Sequence, residues 1–188
     1  MNNEAHKLAE VRINFQRGLP RAAEDISYVA EQFFRRSFAL HGSLNGGLHP
    51  WKQRAFEFPG PKRAILIKRG RLRDSVRRSV VGNVAHIKSN EPYSEIHNEG
   101  GQIPITPKMR RFFWAMYYQA TKGMTRTKKG SLSKSAANLK LSQTAQIWRN
   151  LALTKKTHFT MPPRPFMYHS IELMGKIDRY ITKFIRTL

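Results

Sequence analysis

The sequence predicts an α+β fold: a small antiparallel β-sheet packed against long N-terminal and C-terminal helices, with a basic helical and loop stretch in the middle. Three observations carry this prediction. Apolar residues recur at threes and fours near both ends of the chain. Two segments rich in Val and Ile flank Gly82-Asn83. No Asp or Glu occurs from Gly100 to Ile171.

The elements follow in order. Leu8, Val11 and Phe15 are spaced as on a helix that Gly18 interrupts. Pro20 suits the first turn of a second helix carrying Ile26, Val29, Ala30, Phe33, Phe34 and Phe38, so two N-terminal helices, or one broken one, are expected. His41 to Pro61 is rich in Gly and Pro and reads as a long loop anchored by Trp51 and Phe56. Gly70 to Leu72 reads as a strand entry, with the glycine permitting a tight bend and Leu72 filling the core. Val76–Val81 and Val84–Ser89 then form the clearest hairpin, because Gly82-Asn83 fits a two-residue turn.

Tyr93 to Glu99 reads as one helical turn with Tyr93 and His97 on one face, ended by Gly100-Gly101. Gln102 to Ile105 would add a short third strand. Thr106-Pro107 is a helix start signal, followed by a stripe of Met109, Phe112, Phe113, Met116, Tyr117 and Ala120, with Trp114 off it. Gly123 to Asn138, mostly Lys, Thr, Ser, Gly and Ala, reads as a mobile basic loop. Leu139 to Leu153 is ambiguous, with a short helix around Ile147, Trp148 and Leu151 as one reading. Thr157 to Met161 has strand character. Pro162 to Pro165 enforces an extended turn before a last helix marked by Ile171, Met174, Ile177, Ile181, Phe184, Ile185 and Leu188.

Composition narrows the function classes. At 188 residues the chain fits one domain, and 40% hydrophobic residues suffice for a core. Lys and Arg number 34 against 12 Asp and Glu, a net charge of +22, which calls for an acidic or polyanionic partner. Without cysteine there is no disulfide and no thiolate, in keeping with a reducing compartment. The polar N-terminus and the lack of a long apolar run predict a protein without a signal peptide or membrane span. The histidines show no metal-site spacing, no Walker-type loop occurs, and no catalytic set is recognisable, so neither metal nor cofactor nor enzymatic activity is expected.

The order of short motifs is more telling than any one of them. Arg69-Gly70-Arg71-Leu72-Arg73-Asp74-Ser75-Val76 precedes the hairpin. Ser89 to Gly101, containing Tyr93, His97, Gly100 and Gly101, follows it, and Pro163-Arg164-Pro165-Phe166 precedes the last helix. This order resembles the phage virion morphogenesis family, the tail-completion proteins of Mu-like phages and related neck or head-tail connector proteins. The match runs from about Trp51 to the end, with Ser94 where the family usually has Ala. The stretch from Thr106 to Lys156 looks like a basic insertion that shorter members lack. The resemblance implies a subunit of the virion, present in the host cytoplasm during assembly, that completes the tail or joins it to the head. It would act as a homo-oligomeric ring docked on tail or neck proteins. Its motif residues would be Gly70, Leu72, Ser75, Tyr93, His97, Gly100, Gly101, Arg164, Pro165 and Phe166.

Each residue also has a plainer reading. Leu72 and Phe166 suit a core, and Tyr93 with His97 suits a packing contact better than acid–base chemistry. Arg71, Arg73 and Arg77, with Arg126, Lys128 and Lys129 of the basic stretch, are either a solvated face or a contact for an acidic neighbour or DNA. Phe112, Phe113, Trp114, Tyr117 and Tyr118 beside Arg110 and Arg111 fit a core or subunit interface ahead of a stacking platform for single-stranded nucleic acid. A nucleic-acid-binding protein is the alternative to a structural one.

Overall fold

A computed structural model describes residues 2–54, 63–125, 128–129, 133 and 135–187. Its helices and small antiparallel pairings give the expected α+β class, with long helices near both ends. The chain forms two compact units, the second of them spanning the basic stretch from Thr106 to Lys156. The first comprises residues 1–57, 61–101 and 162–188, and the second 58–60 and 102–161. Among the described residues the strands form three two-stranded ribbons and not one sheet.

In the first unit, α1 runs unbroken from Asn2 to Leu40, correcting the expected break at Gly18 and Pro20. Proline in mid-helix removes one N–H donor, here the one that would reach the Gln16 carbonyl. The helix survives because neighbouring turns pack on α6 (Ile171–Arg186). Phe15 meets the Phe184 ring at a tilt, 6.0 Å between centroids, and a Cβ on Gly18 would lie 2.6 Å from that ring. Gly18 thus serves close helix approach. Farther along, Ala30, Phe33, Phe34 and Phe38 enter the core with Trp51, Ile65, Leu72, Val76, Phe166 and Leu173. Burial of each such large side chain contributes about 2 kcal/mol.

The expected long loop begins as a hairpin, β1 (Gly42–Leu44) paired antiparallel with β2 (Leu48–Pro50). Asn45 Oδ1 accepts from Ile171 N at 3.1 Å and Ser170 Oγ donates to Leu44 O at 2.7 Å, stapling this hairpin to the start of α6. Ser170 Oγ also accepts from Leu173 N, capping that helix. Trp51 is buried as expected; Phe56 lies outside the described residues. Gly70 opens a helical turn, α2 (Arg71–Ser75), where a strand entry is expected. The main hairpin, β3 (Val76–Val81) with β4 (Val84–Ser89), has the expected register around Gly82-Asn83.

β3 is laid against α1 by polar contacts: Arg35 donates to Val76 O at 2.9 Å, and Arg78 reaches Glu24 at 2.6 Å and buried Glu31 at 3.4 Å. α3 (Ser94–Asn98) is the expected single turn. The predicted stripe on α6 divides between two faces, since Phe184 lies against Phe15 and turns inward with Ile177. Leu173 is buried and Ile177 packs on the core, while Ile171, Met174, Ile181 and Ile185 are exposed.

In the second unit, β5 (Gly101–Pro104) pairs with β6 (His158–Met161), so the expected third strand joins a distant segment and not the main hairpin. α4 (Pro107–Lys122) starts as the sequence predicts, with Thr106 Oγ1 accepting from Met109 N at 3.2 Å. α5 (Ala136–Leu153) is longer than the short helix considered around Ile147, Trp148 and Leu151, because Ser135 caps it and Ala145, Trp148 and Ala152 give it a buried face. Phe113 stacks on Trp148 at 6.1 Å to form the core of this unit.

Asn138, read as the end of a mobile loop, is a buried helical residue. Its side chain accepts from Thr125 N at 2.9 Å and donates to the Thr125 and Ser133 carbonyls, each at 2.7 Å.

Candidate functional site

The motif residues of the first unit gather in two places. At the base of the main hairpin, Gly70 takes φ +77°, and an added Cβ would lie 2.9 Å from the Asp74 carboxylate. Leu72 is buried, and Ser75 Oγ donates to Leu72 O at 2.7 Å and lies 2.7 Å from Ser89 Oγ. Gly70, Leu72 and Ser75 therefore close the end of the ribbon and seat it on α1.

The other two motifs interlock. Asn98 is the clasp: its Oδ1 accepts from the backbone N–H groups of Phe166 and Met167, each at 2.9 Å, and its Nδ2 donates to Met167 O at 2.9 Å. Next to it, Arg164 N donates to His97 O at 2.9 Å. Trp51 Nε1 donates to Pro165 O at 2.9 Å, and Arg164 Nε donates to Lys52 O at 3.0 Å. Phe166 is fully buried, 5.2 Å from Phe38 between ring centroids. Gly100 and Gly101 take φ +78° and +146°, and a Cβ on Gly101 would lie 2.7 Å from Ile96 Cδ1. Tyr93, His97, Arg164, Pro165 and Phe166 thus form one junction, together with Asn98 and Trp51.

The electrostatics of the junction are set by burial. Tyr93 and His97 meet edge to face at 5.8 Å. Burial, and secondarily the charge of Arg164, hold the His97 imidazole below its usual pKa, so it is neutral near pH 7. Its buried Nδ1 has no hydrogen-bond partner among the described residues. Burial raises the Tyr93 hydroxyl, and Glu91 adds to the effect. Catalysis by such a pair needs a third group to orient the imidazole. Among the described residues no three His, Asp or Glu converge as a metal site would require.

The arginines assigned to polyanion contact are less free than their number suggests. Arg71 meets Glu91 at 3.2 Å, and Arg73 meets Asp74 at 2.7 Å, the latter hydrogen bond holding the Asp74 carboxyl below its usual range. Arg77 shares with Arg69, Arg71, Asp74, Asn90 and Glu91 a shallow depression of about 310 Å³. Lys128 and Lys129 are exposed, whereas Arg126 and Lys134 lie outside the described residues. A larger groove, about 410 Å³, runs between α1 and α6, lined by Tyr28, Phe33, Arg36, Lys176 and Arg179 among others.

No family model, curated protein or solved structure matches this chain, so the likeness to the virion morphogenesis family stays one of motif order.

Two features escape the sequence reading. Asn98 stands in the right motif, and a residue with both donor and acceptor beside a Pro-rich turn is the signal that points to it. The outward face of α6 escapes because its spacing is that of any amphipathic helix. Ile177 and Phe184 belong to the same spacing yet face inward with Leu173 and Tyr180, so only packing tells the two faces apart.

Proposed function

We propose that this chain is a structural subunit of a phage particle that completes the tail or joins it to the head, acting by self-association in a ring and by docking on tail or neck proteins, with no chemical step. The observation that carries the reading is the outward stripe of α6. Ile171 and Ile185 are 64% and 54% exposed, and Met174 and Ile181 lie between them along the same face. Leu8, Val11 and Phe15 form a second exposed apolar row on α1. Contiguous apolar surface of this kind marks an interaction site.

Copies bearing +22 repel one another, so apolar burial must outweigh that repulsion, and the remaining cations suit acidic neighbours in an assembly. The motif order supports the family, and the clasp between α3 and the Pro-rich turn supports a rigid body on which such faces are presented. The particle, and the host cytoplasm during assembly, are the locations this reading assigns. Among the described residues no helix is long and apolar enough to cross a membrane.

Size-exclusion chromatography with light scattering tests the reading. Oligomers are expected in the native chain, and Ile181→Lys with Ile185→Lys should dissociate them with an unchanged circular dichroism spectrum. A strict monomer that is also missing from purified particles would overturn it.

A further inference from the structure

The second unit carries a different kind of surface. Residues 102–161 contain twelve Lys and Arg with residues 58–60 adding none, and no carboxylate lies anywhere in the unit. Among the described residues of the unit, Arg110 is engaged internally. Its guanidinium donates to the carbonyls of Ala152 at 3.1 Å and Thr154 at 2.7 Å, closing the C-terminal end of α5.

The outer arc of α4 is arranged otherwise. At 3.6 residues per turn, Phe112 and Tyr118 stand about 120° apart around the helix, with Lys108, Arg111 and Lys122 spread across this exposed side. Phe112 touches Phe113 and Trp148 by its edge yet remains 53% exposed, and Tyr118 is 59% exposed. Trp114 lies nearly parallel to Tyr118, at 27° and 6.0 Å, which steadies that ring.

Two exposed rings bordering a band of cations, in a unit without carboxylates, fit a particular ligand chemistry: regularly spaced phosphates joined to flat, accessible π-faces. An acidic protein surface supplies the charge but not the faces. A duplex supplies the phosphates but keeps its bases stacked. A second copy of this chain brings more positive charge. We propose that Lys108, Arg111, Phe112, Tyr118 and Lys122 form a track for single-stranded nucleic acid, with the cations on phosphates and the rings on bases. This does not rest on the assembly reading, since oligomeric state and oligonucleotide affinity are separate measurements.

Fluorescence anisotropy of the full chain with a labelled oligothymidylate of about 20 nucleotides, and with a duplex of equal length, tests the proposal. Single strands are expected to bind more tightly than the duplex. Tyr118→Ala and Phe112→Leu should each weaken single-strand binding about five-fold or more, as loss of base stacking does elsewhere. Replacing Lys108, Arg111 and Lys122 together by Gln should flatten the logarithmic salt dependence by about 2, at ~0.7 per phosphate neutralised. Tyr118 is exposed, so its variant remains informative even if Phe112→Leu disturbs packing on Trp148. Equal affinity for the duplex, ring variants with unchanged affinity, or no binding at about 0.1 M salt would each overturn the proposal.

Discussion

The two units solve the same electrostatic problem in opposite ways. The first holds every Asp and Glu of the chain and places several against arginines: Glu31 on Arg35 and Arg78, Glu24 on Arg78, Glu91 on Arg71 and Asp74 on Arg73. The second has cations only, and its polar order comes from uncharged groups and carbonyls, through Asn138, Thr106 and the carbonyls capped by Arg110. Charge in the first unit is therefore part of the architecture. In the second no ion pair forms among the described residues, and the repulsion that a carboxylate would relieve remains.

The largest change expected within this contrast leaves charge aside. Phe166→Ala removes a fully buried ring from between Phe38 and the α3 junction and should cost about 3–5 kcal/mol, read from urea unfolding followed by circular dichroism. Glu31→Gln comes next. Glu31 is only 7% exposed and meets Arg35 at 2.9 Å, so its loss should destabilise the first unit by about 2 kcal/mol in the same assay.

Adding a carboxylate to the second unit should have the opposite sign. Ala136→Glu places an acid in the first turn of α5, four residues before Lys140, and is expected to stabilise by about 0.5 kcal/mol at low salt. The gain should fade in concentrated salt; a destabilisation at low salt would contradict the contrast.

The smallest effect concerns pH. Because burial favours the neutral imidazole, the folded pKa of His97 lies below its ordinary 6.5, and the folded state binds fewer protons than the unfolded one. Its contribution is whole above that value and is lost as the pH falls below it. Urea midpoints of the native chain should fall between about pH 7.5 and pH 5.5, and His97→Phe, which keeps the ring contact with Tyr93, should shrink that fall.

What the sequence made legible was local. Gly82-Asn83 fixed the turn, Thr106-Pro107 the start of α4, and Trp51 the anchor after the first ribbon, each through chemistry contained in a few residues. The less legible features depended on distant partners. Gly18 and Pro20 look like helix breakers until Phe184 is seen beside them, and β5 looks like an addition to the nearest hairpin until β6 claims it. The basic residues show the limit most clearly. Arg71 and Lys108 are equivalent in a charge count, yet one faces Glu91 and the other lies in a unit without an acid.

The contact between Phe184 and Gly18 also has a mechanical meaning. α1 is about 58 Å long at 1.5 Å per residue, and its two weakest positions, a glycine and a proline, stand two residues apart. The Phe184 ring is the splint laid across that weak point. Shortening it to alanine would remove that brace, so a change at the far end of the chain bears on the stiffness of its beginning.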